Sequence, residues 1–296
     1  MTRQKNLLGA LALTIATTLP VSAQTLIGHW SLDETSGGTA TDAVNGNNGI
    51  WQNGATTNLS RVEGHIGLRA ADLSEIGASN SFFHRPERNE LNGANGGAIS
   101  AWVNRNVQTN SGYNGIFMTR DFNGASNNSW GLAIENTGGE HLDSRVNGPG
   151  IDSPANSLSP SAGWQHIALV WDGSGQSHTQ YVNGVQTSTA NSIAGPISLA
   201  ANGPWFIGYD NCCGNTRDFD GGIDDVSAWS GSLSGAQVNR IYQAGLDGIN
   251  AANALATSPA LGSVQSGLVG SWNMDHPSGS IGAPDSINNN NAMLRG

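Results

Sequence analysis

The sequence predicts an all-β domain closed by one short helix, and three observations lead there. Gly occurs 41 times in 296 residues and charged residues make up only 11%, while short β-branched and aromatic runs recur between Gly, Asn, Ser and Thr clusters. That composition suits many short strands joined by turns. Residues 180–187 hold Asn183-Gly184 between two strand-like runs, the strongest short-range hairpin signal. Only one stretch reads as a helix: Ser234 and Gln237 form a capping-box pattern, Val238, Ile241 and Tyr242 follow at helical spacing, and Gly245 is expected at the C′ position.

Residues 1–23 read as an export signal. Arg3 and Lys5 give a positive start, residues 7–19 are apolar but too short to span a bilayer, and Val21-Ser22-Ala23 fits a cleavage site before Gln24. The protein is therefore expected to be secreted or displayed at the cell surface, and no other stretch is long and apolar enough to be transmembrane.

The first strand is expected at 27–33, with Trp30. A turn-rich segment follows at 42–49, then the apolar pair Ile50-Trp51. A weaker strand is expected at 66–70 and a strong one at 99–104; others are read at 115–119, 130–134 and 205–209, with loops at 72–97 and 146–162. Residues 164–171 are apolar on both faces, which places that strand centrally in a sheet. The last core strand is read at 219–229, entered through Gly221-Gly222, which signals a turn or a close backbone approach. Asp224 and Asp225 stand in its middle and need a partner, because a buried carboxylate is costly unless paired or metal-bound.

The formal charge of −10 becomes −12 once Arg3 and Lys5 are removed, and Lys5 is the only lysine. An acidic, lysine-free chain has no basic patch for nucleic acid or anionic lipid, so both partners are discounted. Cys212 and Cys213 are adjacent and cannot make a disulfide framework. In an oxidising compartment they could form a vicinal disulfide, pair between chains or stay reduced.

The opening of the chain recurs near its end. Leu26-Ile27-Gly28-His29-Trp30-Ser31-Leu32-Asp33 matches Leu268-Val269-Gly270-Ser271-Trp272-Asn273-Met274-Asp275, Ser36-Gly37 matches Ser278-Gly279, and Asp42 matches Asp285 after one inserted residue. The expected organisation is a first domain over 24–245, a linker over 246–266 rich in Ala, Ser and Gly, and the truncated start of a second domain of the same type over 267–296.

Six motifs then fall in a recognisable order. Trp30-Ser31-Leu32-Asp33-Glu34 with Asp42 comes first, followed by Ile99-Ser100-Ala101-Trp102-Val103 and Trp164-Gln165-His166-Ile167-Ala168-Leu169-Val170-Trp171-Asp172. Tyr181-Val182-Asn183-Gly184, Phe206-Ile207-Gly208-Tyr209 and Gly222-Ile223-Asp224-Asp225-Val226 complete it. This order resembles the laminin-G-like, concanavalin A-like lectin/glucanase jelly-roll family over about residues 26–245. The resemblance implies a two-sheet antiparallel jelly-roll sandwich of roughly a dozen strands with Trp30, Trp102, Trp164 and Trp171 in its core. Ala71-Asp72-Leu73 departs from the Phe-Asp-Gly usual in the family.

Two sites follow as expectations. The resemblance brings the first and last strands together, so Asp33 and Asp42 could meet Asp224 or Asp225 around a structural calcium, which takes six to eight oxygens. The repeat keeps Asp33 and Asp42 but replaces Glu34 with His276, which argues against Glu34 as a ligand. The competing reading is that Asp42 caps its own turn and Asp224 accepts backbone amides. A sugar site needs an aromatic platform flanked by hydrogen-bonding groups. Tyr113, Trp130, Trp205 and Tyr209 flank polar loops, with Asp210, Asn211 and Arg217 as a rim and core packing as the alternative for each aromatic.

Catalysis is not expected. The Glu-x-Asp pairs of related glucanases are absent, Glu135 and Glu140 flank a Gly138-Gly139 turn, and Glu87 and Glu90 lie in a loop. The expected role is an exported, non-catalytic binding or adhesion module for glycans or cell-surface glycoconjugates. The alternatives are an accessory domain of a polysaccharide-degrading enzyme, or a structural spacer.

Overall fold

The computed structural model describes residues 24–52, 60–74, 82–85, 93–106, 112–119, 129–146, 150–174, 176–190, 204–212 and 217–256, with two short strands at 282–283 and 292–293. The expected export signal and most of the expected second domain lie outside the described residues.

The strands are β1 Thr25–Trp30, β2 Thr39–Ala40, β3 Gly49–Gln52, β4 Ser60–Glu63, β5 Arg69–Asp72, β6 Phe82–Arg85, β7 Gly96–Arg105 and β8 Tyr113–Thr119. They continue as β9 Trp130–Glu135, β10 His141–Val146, β11 Gly150–Asp152, β12 Gln165–Asp172, β13 Ser177–Val182, β14 Val185–Ala190, β15 Trp205–Ile207 and β16 Gly221–Ser230. Two helices follow, α1 Gly235–Leu246 and α2 Ala251–Leu255. One sheet runs β14-β13-β12-β7-β16-β5-β4 with β1 also on β16; the other runs β11-β10-β9-β8-β15-β6-β3-β2. All pairings within them are antiparallel, as the sandwich expectation requires.

The core lies between the sheets. Trp30, Phe117, Trp130, Trp171 and Trp205 meet there, with Phe117 edge-on to Trp205 at 4.6 Å between ring centroids. A buried aromatic of this size removes on the order of 200 Å² from water, worth roughly 5 kcal/mol. A second apolar layer covers the outer face of the first sheet, where α1 and α2 pack on Ala98, Ala168, Val170 and Trp229. Residues 167–171 therefore alternate between two buried faces, Ile167, Leu169 and Trp171 inward and Ala168 and Val170 outward, and β12 is central as expected.

Local signals agree with the chain in several places. Asn183 and Gly184 both take positive φ, 49° and 73°, the type I′ geometry that joins β13 to β14. Ser234 and Gln237 form the capping box of α1.

Four expectations are corrected. Gly245 is not the C′ residue: it lies inside α1, where a Cβ would stand 2.5 Å from the Trp102 indole, and Gly248 supplies the left-handed residue beyond the helix at φ 72°. Strand β10 was not expected, because Asp143, Ser144 and Arg145 interrupt its apolar pattern. The loop stretches contain β6 and β11. The expected linker begins later, since Ala251 and Ala254 of α2 are buried against the domain.

Within the expected second domain, Gly282–Ala283 and Ala292–Met293 form a ladder of their own. Its register, Gly282 to Met293 and Ala283 to Ala292, is that of Thr39 to Ile50 and Ala40 to Gly49 in the first copy.

Candidate functional site

The paired acids of β16 sit where that strand changes neighbours. Its first part pairs with β5, ending at Ile223 opposite Ala71; its last part pairs with β1, starting at Val226 opposite Trp30. A bulge against β7 falls between Asp224 and Ser227, and Asp225 has φ 47°. Asp224 Oδ2 accepts the His65 and Ile66 amides at 2.8 and 2.9 Å, holding the turn between β4 and β5. Asp225 Oδ2 accepts the Ala251 amide at 2.9 Å. Burial pushes both carboxyls up to about 7.

The other two expected calcium ligands are occupied by backbone as well. Asp42 Oδ1 accepts the His29 and Val44 amides, and Oδ2 accepts those of Asn45 and Asn47, at 2.9 to 3.3 Å. Asp33 Oδ1 accepts the Leu68 and Arg69 amides at 2.8 and 2.9 Å. These amides engage both oxygens of Asp42 and one oxygen each of Asp33, Asp224 and Asp225. Each of Asp33, Asp42, Asp224 and Asp225 thereby holds a turn or a helix start, and among the described residues the four do not gather their ligand atoms around one point. Among the described residues, the His/Cys/Asp/Glu trio gathered around one point is a different one, Glu135, His141 and Asp152.

Of the expected sugar-site residues, Trp130 and Trp205 are in the core, 0% and 3% exposed, and present no surface platform. Their apolar neighbours from both sheets hold them there, and the polar loops beside them in sequence misled the expectation. The remaining five gather at one end of the second sheet. Gly115 lets the backbone of Tyr209 and Asp210 cross β8, since a Cβ there would stand 2.1 Å from the Tyr209 carbonyl carbon. Arg217 Nη1 meets Asp210 Oδ2 at 2.7 Å, and its guanidinium lies 4.5 Å over the Tyr113 ring, with that of Arg145 at 5.8 Å. Two cations thus already contact the aromatic face that a sugar would need. Tyr209 and Asn211 flank this group, half-buried. Cys212 is buried, and its amide donates to Asp210 Oδ1 at 3.2 Å; Cys213 lies outside the described residues.

An open cleft of about 450 Å³ lies elsewhere, on the outer face of the first sheet. Its floor is Gly221-Gly222. Gly222 pairs with Asn104 of β7 on one side and Asp72 of β5 on the other, so the middle of a three-strand row carries no side chain. Trp164 forms one wall. A Cβ on Gly222 would come within 2.8 Å of its indole, so the ring rests where that side chain would be. Trp164 is half-buried and lines this cleft, which corrects its assignment to the core: it precedes β12 and turns outward. Glu63, Asp72, Ser74, Asn104 and Asn106 supply carboxylates, a hydroxyl and amides around the mouth. Asn106 is steadied by Asp220 Oδ1 at 2.8 Å, and Asp72 Oδ1 accepts the Ser74 amide at 3.0 Å. Among the described residues, no lysine or arginine lines the cleft. The one signal for it in the sequence was Gly221-Gly222 inside a strand.

The acids near the Gly138-Gly139 turn have cationic or imidazole neighbours: Glu140 meets Arg105 at 2.8 Å and Glu135 meets His141 at 3.3 Å. Glu87 and Glu90 lie outside the described residues.

A family model described as the concanavalin A-like lectin/glucanases superfamily matches residues 77–239. No curated protein matches the sequence. Among solved structures, domain 4 of AbnA, a GH43 extracellular arabinanase from Geobacillus stearothermophilus, in complex with arabinotriose, is similar at a TM-score of 0.54 and 22% identity, covering 74% of this chain and 98% of that one. The botulinum neurotoxin serotype D binding domain is similar at a TM-score of 0.51 and 17% identity, covering 74% of this chain and 51% of that one. At these identities the likeness is one of fold.

Proposed function

We propose that this chain, which belongs to the concanavalin A-like lectin/glucanases superfamily, is an exported, non-catalytic module that binds neutral glycans in the cleft beside Trp164. The observation that carries the reading is the cleft itself. An indole wall, a glycine floor and a rim of amides and carboxylates match what a sugar ring offers: an apolar C–H face and a circle of hydroxyls. Glu63 and Asp72 at the mouth, with no cation among the described lining residues, disfavour sialic and uronic acids. Export rests on the Arg3, Lys5 and residues 7–23 pattern alone.

A glycan array probed with residues 24–256, with arabino-oligosaccharides and other neutral plant and microbial glycans in the panel, tests this. Binding to a neutral class is expected, with Trp164→Ala abolishing it while the melting temperature stays within a few degrees. Binding that survives Trp164→Ala, or binding confined to acidic glycans, overturns the reading. A second reading makes the module an accessory domain of a polysaccharide-degrading enzyme. It is favoured by the fold likeness to almost the whole of an arabinanase domain that was solved with arabinotriose.

A further inference from the structure

Glu135, His141 and Asp152 come from three adjacent strands of the second sheet. Glu135 ends β9 and pairs directly with His141, which starts β10; Asp152 ends β11 and pairs with Asp143, two residues along β10 from His141. Residues 141 and 143 share the face turned away from the core, because Leu142 and Val146 point into it. Each of the three offers one ligand atom, and these atoms lie within 4.8 Å of one another.

The imidazole is oriented for a cation. His141 Nδ1 is 2.7 Å from the Gly139 carbonyl oxygen, which can only accept, so Nδ1 carries the proton. Nε2 then faces Glu135 Oε2 at 3.3 Å, an ion pair when the ring is protonated and a lone pair turned toward a carboxylate when it is neutral. A backbone carbonyl on one ring nitrogen, with the other turned toward carboxylates, is the outer-sphere arrangement of histidine metal ligands. Asp143, with its side chain 2% exposed, adds a further carboxylate directly across from Asp152. Arg145, whose Nε is 3.2 Å from Asp143 Oδ2, is a cation in contact with this group.

We propose that Glu135, His141 and Asp152 bind a divalent transition-metal ion of the zinc type. One imidazole nitrogen and two carboxylate oxygens suit zinc, while calcium and magnesium take oxygen ligands. The exposed Asp152 leaves the ion open to water or a ligand on the solvent side. The site stands apart from the Trp164 cleft, on the other sheet, and does not depend on the glycan reading.

The test uses residues 24–256 stripped of metal by chelation and dialysis, titrated with zinc chloride by calorimetry and followed by thermal melting. One ion per chain is expected, with a rise in melting temperature by mass action and no comparable response to calcium or magnesium. Asp152→Asn, at an exposed position, should keep the fold and weaken zinc binding about tenfold or more; His141→Ala should remove it. No binding to the stripped protein overturns the proposal. So does binding that both variants retain, which would place the ion elsewhere. Equal affinity for zinc and calcium would also overturn it.

Discussion

Asp225 Oδ2 accepts the Ala251 amide at 2.9 Å, fastening the middle of β16 to the start of α2. The contact joins residues 26 apart across a strand, a helix and a turn. It gives α2 an acceptor for one of its free N-terminal amides, beside the Asn250 cap, which accepts from Asn253. Ala251 and Ala254 then close the apolar layer over Trp229, Leu233 and Ile241.

Truncation at residue 250 should therefore damage the domain. It deletes the amide donor to a buried carboxyl and uncovers part of that layer, a loss of about 2–4 kcal/mol. Residues 24–250 are expected to melt several degrees below residues 24–256. Equal melting temperatures would show that α2 adds nothing to the fold.

The same carboxyl should make stability depend on pH. Burial, helped by Asp33 and opposed by the Ala251 amide, pushes Asp225 up from 3.8 to about 7. Its neighbour His29, with Nδ1 at 3.5 Å, is pushed down by burial, which works against an ion pair between the two. An acid whose folded pKa is raised holds a proton that the unfolded chain has already lost. Its contribution is complete below about pH 3.8 and is lost as pH rises through about 7. Asn imitates the protonated form and does not titrate. The melting temperature of Asp225→Asn relative to the parent should therefore climb by several degrees between pH 5 and pH 8. A flat difference would show that Asp225 is charged throughout.

Much of this architecture was legible because local chemistry and tertiary context agree. Asn183-Gly184 demands positive φ at two successive residues, and the Ser234 and Gln237 capping box needs no distant partner. Residues 167–171 are apolar on both faces because a helical layer covers the outer one. Strand β10 was illegible because Ser144 and Asp143, on opposite faces, are both buried polar residues: Ser144 Oγ lies 2.6 Å from His178 Nε2 on another strand, and Asp143 meets Arg145 two residues along its own. Trp164 was misread because it adjoins an apolar strand, and only the missing side chain of Gly222 shows why it turns outward. The cleft gathers residues from β4, β5, β7 and β16, and no spacing along the chain announces such a group.

The turn around Asp42 should be stable without a metal. Four backbone amides converge on one buried carboxylate, each such bond worth about 1.5–3 kcal/mol. Asp42→Ala is expected to cost about 3 kcal/mol or more, equally in EDTA and in millimolar calcium. A loss seen only with calcium present would restore a calcium role for this residue.

The adjacent cysteines are expected to form a vicinal disulfide. Cys212 is buried beside Asp210, which a solvent-facing free thiol would not be. Intact mass under native oxidising conditions should be two hydrogens below that of the reduced chain, with no covalent dimer. Two titratable thiols per chain would show that the pair is reduced.

The last prediction concerns the floor of the cleft. Gly222 has no unusual φ, so an alanine there carries no backbone penalty. Its Cβ would meet Trp164 Cη2 at 2.8 Å and Cζ2 at 3.2 Å, and Val62 Cγ2 at 3.5 Å. The closest atoms belong to the far end of one side chain at the surface, so the indole swings away rather than the sheet parting. Gly222→Ala should therefore cost no more than about 1 kcal/mol of stability, yet remove the surface on which a sugar ring would lie. A glycan bound by the parent should be held at least tenfold more weakly by Gly222→Ala, by titration calorimetry at matched folded fractions. Val62→Ala, which opens the same wall, should leave the affinity within a few-fold. If Gly222→Ala binds as well as the parent, the ligand does not rest on the Trp164 face.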